Sequence, residues 1–443
     1  MKIFVFSAQN EQFRLCLAEM RYFMEQIIIN GGFPLRGSVE VSGMKNAALP
    51  IIFACILTKS QCTIENIPLI SDVSLAIEIL REMGASVHYI SETSVEIDTS
   101  SLRCGHSPDV LVSGMRASTY LIGAELGRFG QSHMGLPGGC NFGERPIDQH
   151  IKGFKALGAD VVLSETGIDG HTDNGIHAGS VYFDITSVGA TINIMMAAVL
   201  ADGLTVIENA ACEPHIVDLA NFFNTCGAAI TGAGTNVIKI RGVKELHGCT
   251  YEIIPDMIEA GTYMTAVAAA GGRIEIRNVI PKHLESISAK LRDMNVTVEE
   301  FDDSLVVSSP GRTALRPTNV QTKPYPGFPT DMHPQFSALM CLAPGESTMT
   351  ETVFAKRFRY VSELLRMGAD IDADDRCAHI RGGSLHGADV HAMDLRAGAA
   401  MIVAGLAAEG TTYVTGVDYI RRGYQDIVKK FRGLGADISE IDR

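Results

Sequence analysis

A loop rich in glycine and proline holds the most reactive side chain in the sequence. The segment LPGGCNFGERPIDQH (136–150) places Cys140 among glycines, where a cysteine is exposed rather than packed in a core. With Arg145 nearby, the thiol would ionise more readily and could act as an acid, a base or a nucleophile. A surface cysteine without a role is the alternative. His150, in the same segment, is better explained by a structural role.

Asp331 is a candidate general base. It lies in PGFPTDMHPQF (326–336) between Pro329 and Pro334, which stiffen its backbone. A stiffly placed carboxylate suits proton abstraction. An N-cap for the helix that begins near Pro334 is an equally good interpretation.

Two turns and a set of arginines indicate an anion site. Lys45, in SGMKNAALP (42–50), precedes a buried helix, where the helix dipole disfavours a cation unless an anion also binds; a solvated cap is the alternative. The turn TSVGATIN (186–193) offers backbone N–H groups to a phosphate, or is a plain N-cap. Arginine binds phosphate and carboxylate bidentately, and several stand at helix starts or turns of equivalent repeat positions. These are Arg116, Arg396 (beside Asp394), Arg421 and Arg422.

Composition and charge exclude several classes of function. The 443 residues carry a formal net charge of −14, which disfavours a general nucleic-acid binder. No apolar run is long enough to span a membrane, so no membrane insertion is expected. The ten cysteines form no CxxC pair and no zinc-type spacing, which predicts no metal site and a reducing, cytoplasmic location. Walker A, dinucleotide-binding and HExxH motifs are absent. Residues 1–23 are interpreted as a dispensable extension.

An internal repeat of about 70 residues organises the chain. An amphipathic helix followed by a glycine-like turn and a strand occurs six times, for example LREMGASV at 80–87 and FRGLGADI at 431–438. A second signature interleaves with it, a buried small-residue helix that exits through a glycine-like turn, as in YMTAVAAAGGRIEIRN at 263–278. The pattern predicts six α/β units, arranged as two globular halves of three units each.

The order of these segments resembles the enolpyruvyl transferase family. The motifs SGxKNAALP, LPGGCxxGxRPxDxH, SVGAT, FPTDM, TETVF and DLRA all occur in the family's order between Met24 and the C-terminus. The resemblance implies an inside-out α/β barrel of two domains, each with three βαβαββ units. By this analogy domain I is 45–254, and domain II is 24–44 plus 255–443. The Cys140 loop would close over the cleft between them.

The resemblance also implies a reaction. The enolpyruvyl group of phosphoenolpyruvate would pass to the 3-hydroxyl of UDP-N-acetylglucosamine, with release of phosphate, through a tetrahedral ketal. This would be the first committed step of peptidoglycan synthesis. No cofactor or metal is implied, and the oligomeric state stays open. Since the loop carries Cys140, alkylation by fosfomycin is expected.

Family positions assign roles to individual residues. Asp331 matches the base for the hydroxyl, and Cys140 matches the acid that protonates C3 of phosphoenolpyruvate. Lys45 and Arg422 complete the implied catalytic set. The implied phosphoenolpyruvate contacts are Lys45, Arg116, Arg145, Arg396, Arg422 and Asp394. The implied nucleotide-sugar contacts are Asn46, Arg116, Arg145, Pro146, Ile147, Asp148, Gln149, Ser187, Val188, Gly189, Asp331 and Val353.

Four positions depart from the family pattern and keep alternatives open. Arg421 replaces an acid, Met257 an arginine, Cys212 an arginine, and Ile185 a lysine found in some members. A paralogue that uses another nucleotide or nucleoside acceptor is one alternative. An inactive UDP-sugar-binding homologue that regulates a partner is another.

Overall fold

The computed structural model describes residues 25–138 and 147–442, which form a mixed α/β structure. The α-helices are α1 (Lys45–Ala54), α2 (Ser71–Glu82), α3 (Asp109–Val112), α4 (Tyr120–Phe129), α5 (Asp148–Ala156), α6 (Val188–Ala198), α7 (Pro214–Thr225), α8 (Met257–Ala270), α9 (Glu285–Asp293), α10 (His333–Met340), α11 (Val361–Arg366), α12 (Leu395–Ala407), α13 (Val417–Arg421) and α14 (Ile427–Gly433). Short 3-10 helices precede α4, α10 and α11, at Arg116–Thr119, Thr330–Met332 and Arg357–Tyr360.

The strands of the described ranges are all short. They are β1 (Glu25–Asn30), β2 (Leu35–Glu40), β3 (Gln61–Glu65), β4 (Ser86–Ser91), β5 (Ser94–Asp98), β6 (Gln131–Gly135), β7 (Asp160–Leu163), β8 (Gly167–His171), β9 (Ser180–Tyr182), β10 (Leu204–Glu208), β11 (Ala229–Thr231), β12 (Val237–Arg241), β13 (Thr250–Glu252), β14 (Gly272–Arg277), β15 (Thr297–Glu300), β16 (Ser304–Ser309), β17 (Asn319–Gln321), β18 (Gly345–Thr350), β19 (Asp370–Ala373), β20 (Cys377–Gly382), β21 (Asp389–His391), β22 (Thr411–Thr415) and β23 (Asp437–Asp442).

The sheets repeat one pattern, which confirms the predicted repeat. Five sheets have four strands, in the orders β13-β3-β5-β4, β9-β10-β12-β11, β2-β14-β16-β15, β17-β18-β20-β19 and β21-β22-β1-β23. In each, the first pair is parallel and the other two pairs are antiparallel. The sixth sheet, β6-β8-β7, has three strands, and backbone bonds from His133 to Gly105 and Ser107 stand where the fourth would be.

The turns that define the repeat share a positive φ. The six turns after the amphipathic helices have positive φ at Gly84, Gly158, Gly227, Asn295, Gly368 and Gly435. The turns after the small-residue helices have positive φ at Lys59, Gly130, Gly203, Gly271, Gly345 and Gly410. Glycine and asparagine tolerate positive φ best, and Lys59 is the one other residue type among these twelve positions. The sequence therefore repeats at these positions because the backbone needs it there.

Six largely buried helices form the cores. Helix α4 packs against α1 and α6, and α8, α10 and α12 pack against one another. Close packing requires small residues, since a Cβ added to Gly123 would lie 2.4 Å from the backbone oxygen of Asn193. The first three sheets in chain order beyond residue 44 use residues 61–252, and the other three use 25–40 and 272–442. We call 45–254 the first half and the rest of the described chain the second half; the domain boundaries stay a prediction.

Candidate functional site

Five of the six buried helices have a predicted site residue at or just before their N-terminal end. Lys45 begins α1, Ser187 caps α6, and Asp394 caps α12. Arg116 and Asp331 lie in the 3-10 helices that lead into α4 and α10. Helix N-termini attract anions through free N–H groups and the helix dipole. The fold thus gathers the candidate side chains on the ends of the helices that favour negative ligands.

Asp72, at the start of α2, joins two of the predicted cations. Its Oδ2 lies 2.7 Å from Lys45 Nζ, and its Oδ1 accepts a 2.8 Å hydrogen bond from Arg422 Nε. Asp72 is 6% exposed, and Lys45 and Arg422 belong to different halves of the chain. This ion triplet therefore connects the two halves at the candidate site.

Burial and charge act against each other in this triplet. Burial lowers the pKa of Lys45, and the carboxylate of Asp72 offsets that effect only in part. Burial alone would raise the pKa of Asp72, but Lys45 and Arg422 lower it below its ordinary value. The positive charges of Arg396 and Arg422 also act on Lys45, so three cations lie within electrostatic reach of one another.

Asp331 joins a second pair of cations. Arg357 Nη2 donates to its Oδ1 at 3.2 Å, and Arg396 Nη2 donates to its Oδ2 at 3.0 Å. The two guanidiniums are buried, whereas Asp331 is 29% exposed. The N-cap interpretation of Asp331 is wrong, because Met332 occupies the cap position of α10 and no side chain caps that helix. The carboxylate is held by arginines instead.

Arg396 is fixed by its own helix start. Asp394 caps α12 by accepting hydrogen bonds from the backbone N–H groups of Arg396 and Ala397, both at 2.9 Å. Arg396 Nη1 donates to the Tyr424 hydroxyl oxygen at 3.3 Å. Burial alone would lower the pKa of Arg396, but the carboxylate of Asp331 raises it above its ordinary value, so the guanidinium stays charged.

A second group surrounds His150 in the first half. The Nε2 atom of His150 would lie 2.8 Å from a Cβ added to Gly189, so glycine is needed there. Burial and the charge of Arg116 lower the pKa of His150 to about 4, with Asp148 opposing them. His150 is therefore neutral at pH 7. Ser187 accepts a 3.2 Å hydrogen bond from Ala190 N, so its predicted N-cap role is correct.

The remaining predicted contacts differ in what they can offer a ligand. Asp148 and Val353 are exposed, and Asn46 and Val188 are partly exposed. Ile147 is buried, and the Gln149 side chain donates to Asp148 Oδ2 and accepts from the backbone N–H of Asp184. Cys140, Arg145 and Pro146, like the 1–23 extension, lie outside the described residues.

Sequence reasoning missed three residues of the site. Asp72, in PLISDVS, reads as an ordinary acid in the first turn of a helix. Arg357 and Tyr424 carried no signal beyond their closeness in sequence to the TETVF motif and to Arg422. Only the tertiary structure brings them to Asp331 and Arg396.

The four departures from the family pattern lie in different environments. Arg421 points to the surface, where it pairs with Glu25 and Glu440. Ile185 is exposed, Met257 is buried at the start of α8, and Cys212 is partly buried. Among the described residues, Asp72 pairs with Lys45 and Arg422, and Asp331 pairs with Arg357 and Arg396; none of the four departures is one of these partners.

Residues 29–431 match the family model described as EPSP synthase (3-phosphoshikimate 1-carboxyvinyltransferase). The chain is 51% identical over 419 residues to UDP-N-acetylglucosamine 1-carboxyvinyltransferase 3 of Caldanaerobacter subterraneus subsp. tengcongensis, which covers 94% of this chain and all of the relative. It is 51% identical over 416 residues to UDP-N-acetylglucosamine 1-carboxyvinyltransferase 2 of Bacillus subtilis, covering 94% and 96% of the two chains.

Solved structures show the same architecture. The enolpyruvyl transferase NikO from Streptomyces tendae superposes with a TM-score of 0.85 at 25% identity, covering 95% of this chain and 99% of that one. An EPSP synthase from Acinetobacter baumannii superposes with a TM-score of 0.73 at 17% identity, covering 94% and 99%. The predicted α/β fold is thereby confirmed. Separately, no helix of the described residues is long and apolar enough to cross a membrane.

Proposed function

The chain belongs to the EPSP synthase family, and we propose that it transfers the enolpyruvyl group of phosphoenolpyruvate to the 3-hydroxyl of UDP-N-acetylglucosamine. Phosphate leaves, and the product enters peptidoglycan synthesis. The observation that carries the proposal is the pair of acid-bridged cation clusters at the helix N-termini. Relatives at about 50% identity that bear this activity's name support the choice of acceptor.

The cation clusters suit a small, highly charged donor. Phosphoenolpyruvate carries a phosphate and a carboxylate, and arginine and lysine bind both groups through charge-assisted hydrogen bonds. Before substrate arrives, the four cations share two carboxylates, Asp72 and Asp331. An anionic donor would compete with those carboxylates for Lys45, Arg396 and Arg422. Arg116 and Arg145 would complete its binding.

That competition would also adjust the base. Arg357 and Arg396 donate hydrogen bonds to Asp331, and neighbouring cations favour the charged form of a carboxylate. A donor that took over hydrogen bonds of Arg396 would leave Asp331, which is 29% exposed, freer to meet the acceptor hydroxyl. It would take the hydroxyl proton as the oxygen attacks C2 of phosphoenolpyruvate, while Cys140 gives a proton to C3. Loss of phosphate and of a C3 proton from the resulting ketal then restores the double bond.

The acceptor is proposed to lie against the helix starts of the first half. Asn46, Asp148, Ser187, Val188 and Gly189 offer side-chain and backbone groups there. Val353 would contact it from the second half, and Arg145, Pro146, Ile147 and Gln149 are proposed as further contacts of the nucleotide. The buried side chains of Ile147 and Gln149 limit those two residues to main-chain contacts.

Phosphate release tests the proposal. Wild type mixed with phosphoenolpyruvate and UDP-N-acetylglucosamine should release phosphate, and fosfomycin should abolish it by alkylating Cys140. The Cys140→Ala variant should lack turnover, and Cys377→Ala, at a partly buried thiol of β20, should keep it. Turnover with another nucleotide or nucleoside but not with UDP-N-acetylglucosamine would support the paralogue. No phosphate release with any acceptor from a folded protein would support an inactive homologue.

The cytoplasm is the proposed location. The eight cysteines of the described residues are all free thiols, which suits a reducing compartment. Residues 1–23 are proposed to be dispensable for turnover.

A further inference from the structure

Three cysteines far apart in sequence meet in the first half, away from the candidate site. They are Cys62 on β3, Cys226 after α7 and Cys249 before β13. Their three sulfur atoms all lie within 4.8 Å of one another, and the Sγ atoms of Cys226 and Cys249 are 3.2 Å apart. Helix α1 begins at Lys45 in the candidate site and has ten residues, so its two ends are about 15 Å apart. Cys62 follows the end that lies away from Lys45.

The backbone fixes this arrangement from two sides. His247 N donates to Cys226 O at 3.0 Å, and Thr63 N donates to Cys249 O at 2.8 Å. Between them, Gly248 approaches β3 so closely that an added Cβ would lie 1.8 Å from Gln61 O. Glycine is therefore required for Cys249 to reach Cys62. Main-chain contacts therefore hold the segments that carry Cys226 and Cys249, and the core packs around Cys62 and Cys226.

We propose that Cys62, Cys226 and Cys249 form a three-thiolate site for one soft, thiophilic metal ion of the Cu(I) or Zn(II) type. Thiolate ligands select such ions. A metal about 2.3 Å from three sulfurs in a plane would place the sulfurs roughly 4 Å apart. The Cys226–Cys249 separation of 3.2 Å and the upper limit of 4.8 Å for all three pairs leave only small shifts to reach that spacing. Binding would replace three S–H protons, which pass to solvent.

The surroundings suit an ion better than a disulfide. Cys62 and Cys226 are fully buried, and Cys249 is partly exposed, which gives an ion an entry path. A disulfide between Cys226 and Cys249 would use two thiols and leave Cys62 without a role. The spacing of cysteines along the chain gave no sign of this site, since the ligands come from three separate segments.

Metal titration of the reduced full-length protein tests the site. All proteins carry Cys140→Ala, so that the loop thiol cannot contribute. Three proteins are compared: the parent, which carries Cys140→Ala alone, and the parent with Cys249→Ser or with Cys341→Ser added. Each is titrated with Zn(II) and, separately, with Cu(I) delivered as a bicinchoninate complex. Cys341 is the matched control, because it is a buried thiol in the second half bonded to Ser337 O. Co(II) supplies a thiolate-to-metal absorption band as an independent readout.

One equivalent of at least one ion should bind to the parent and to Cys341→Ser, and raise their melting temperatures. Cys249→Ser, whose residue is the least buried of the three, should keep its circular dichroism and lose at least tenfold in affinity together with the Co(II) band. Absence of stoichiometric binding by the reduced parent overturns the proposal. Equal binding by Cys249→Ser, or a Cys226–Cys249 disulfide in a protein without metal affinity once reduced, also overturns it.

Discussion

Two carboxylates each hold a pair of cations at the candidate site, and they differ in what they connect. Asp72 is 6% exposed and joins Lys45 of the first half to Arg422 of the second. Asp331 is 29% exposed and joins two arginines of its own half. A buried acid between two halves suits the holding of structure and cations, whereas a partly exposed acid can meet a ligand. The same chemical motif therefore serves two purposes according to its burial.

The largest expected effect is at the exposed acid. Asp331→Asn removes the proposed base while keeping the shape of the side chain, so kcat for phosphate release should fall by about 10³-fold. The KM for phosphoenolpyruvate should not rise and should fall if anything, because Asp331 no longer competes with the donor for Arg396, which Asp394 and Tyr424 keep in place.

Asp418→Asn is the control for Asp331→Asn, since that acid is 93% exposed on α13. It should leave kcat unchanged. A kcat for Asp331→Asn within threefold of wild type would contradict the role of Asp331 as a base.

Asp72→Asn should act first on stability. Removing the charge leaves Lys45 and Arg422 facing each other, and breaking such a buried network costs about 3 kcal/mol. Urea unfolding should show this loss, and the KM for phosphoenolpyruvate should rise about tenfold as the cations separate. A loss of kcat as large as that of Asp331→Asn would remove the distinction between the two acids.

Arg422 and Arg421 are adjacent in sequence but have different partners, so the same substitution at each should give different, and smaller, effects on KM. Arg422→Lys keeps the charge but loses the fork that contacts both oxygens of Asp72, so KM for phosphoenolpyruvate should rise by about fivefold to tenfold. Arg421→Lys should leave KM unchanged, because Arg421 pairs with Glu25 and Glu440 at the surface. If Arg421→Lys changed the acceptor preference, the departure at this position would bear on the substrate after all.

Within the described ranges, Glu125, a buried acid of the first half, has no cation bonded to it, unlike Asp72 and Asp331. Glu125 accepts hydrogen bonds from Ser107 and Ser132, and burial raises its pKa to about 7. The folded state then binds more protons than the unfolded state between about pH 4.5 and 7, so this acid's contribution to stability falls as pH rises through that window.

Glu125→Gln removes that titration without touching the candidate site. The stability difference between variant and wild type should therefore move in favour of the variant from pH 5 to pH 8. The buried histidines His150 and His215, whose pKa values are lowered to about 4, act in the opposite direction in both proteins and cancel in the difference. A difference that does not change with pH would show that Glu125 stays charged.

The repeat could be predicted from the sequence more completely than the residues of the candidate site. Turn positions such as Gly84 and Asn295 repeat because local backbone conformation requires them, so a single sequence reveals them. Lys45 and Asp331 stand in distinctive motifs. Asp72 and Arg357 do not, because their roles come only from side chains that tertiary packing brings within 3.2 Å. Cys62 and Cys249 illustrate the same limit for a site built from three distant segments.

Strand β1 has a consequence for how the protein is made. It is an interior strand, paired on one side with β22 and on the other with β23, more than 380 residues later. The ribosome therefore releases the first strand of the second half long before either of its neighbours exists. All three sheets of the first half can assemble during that wait. Synthesis must reach the last residues of β23 before that last sheet is closed, and a nascent chain halted before β22 would expose both edges of β1.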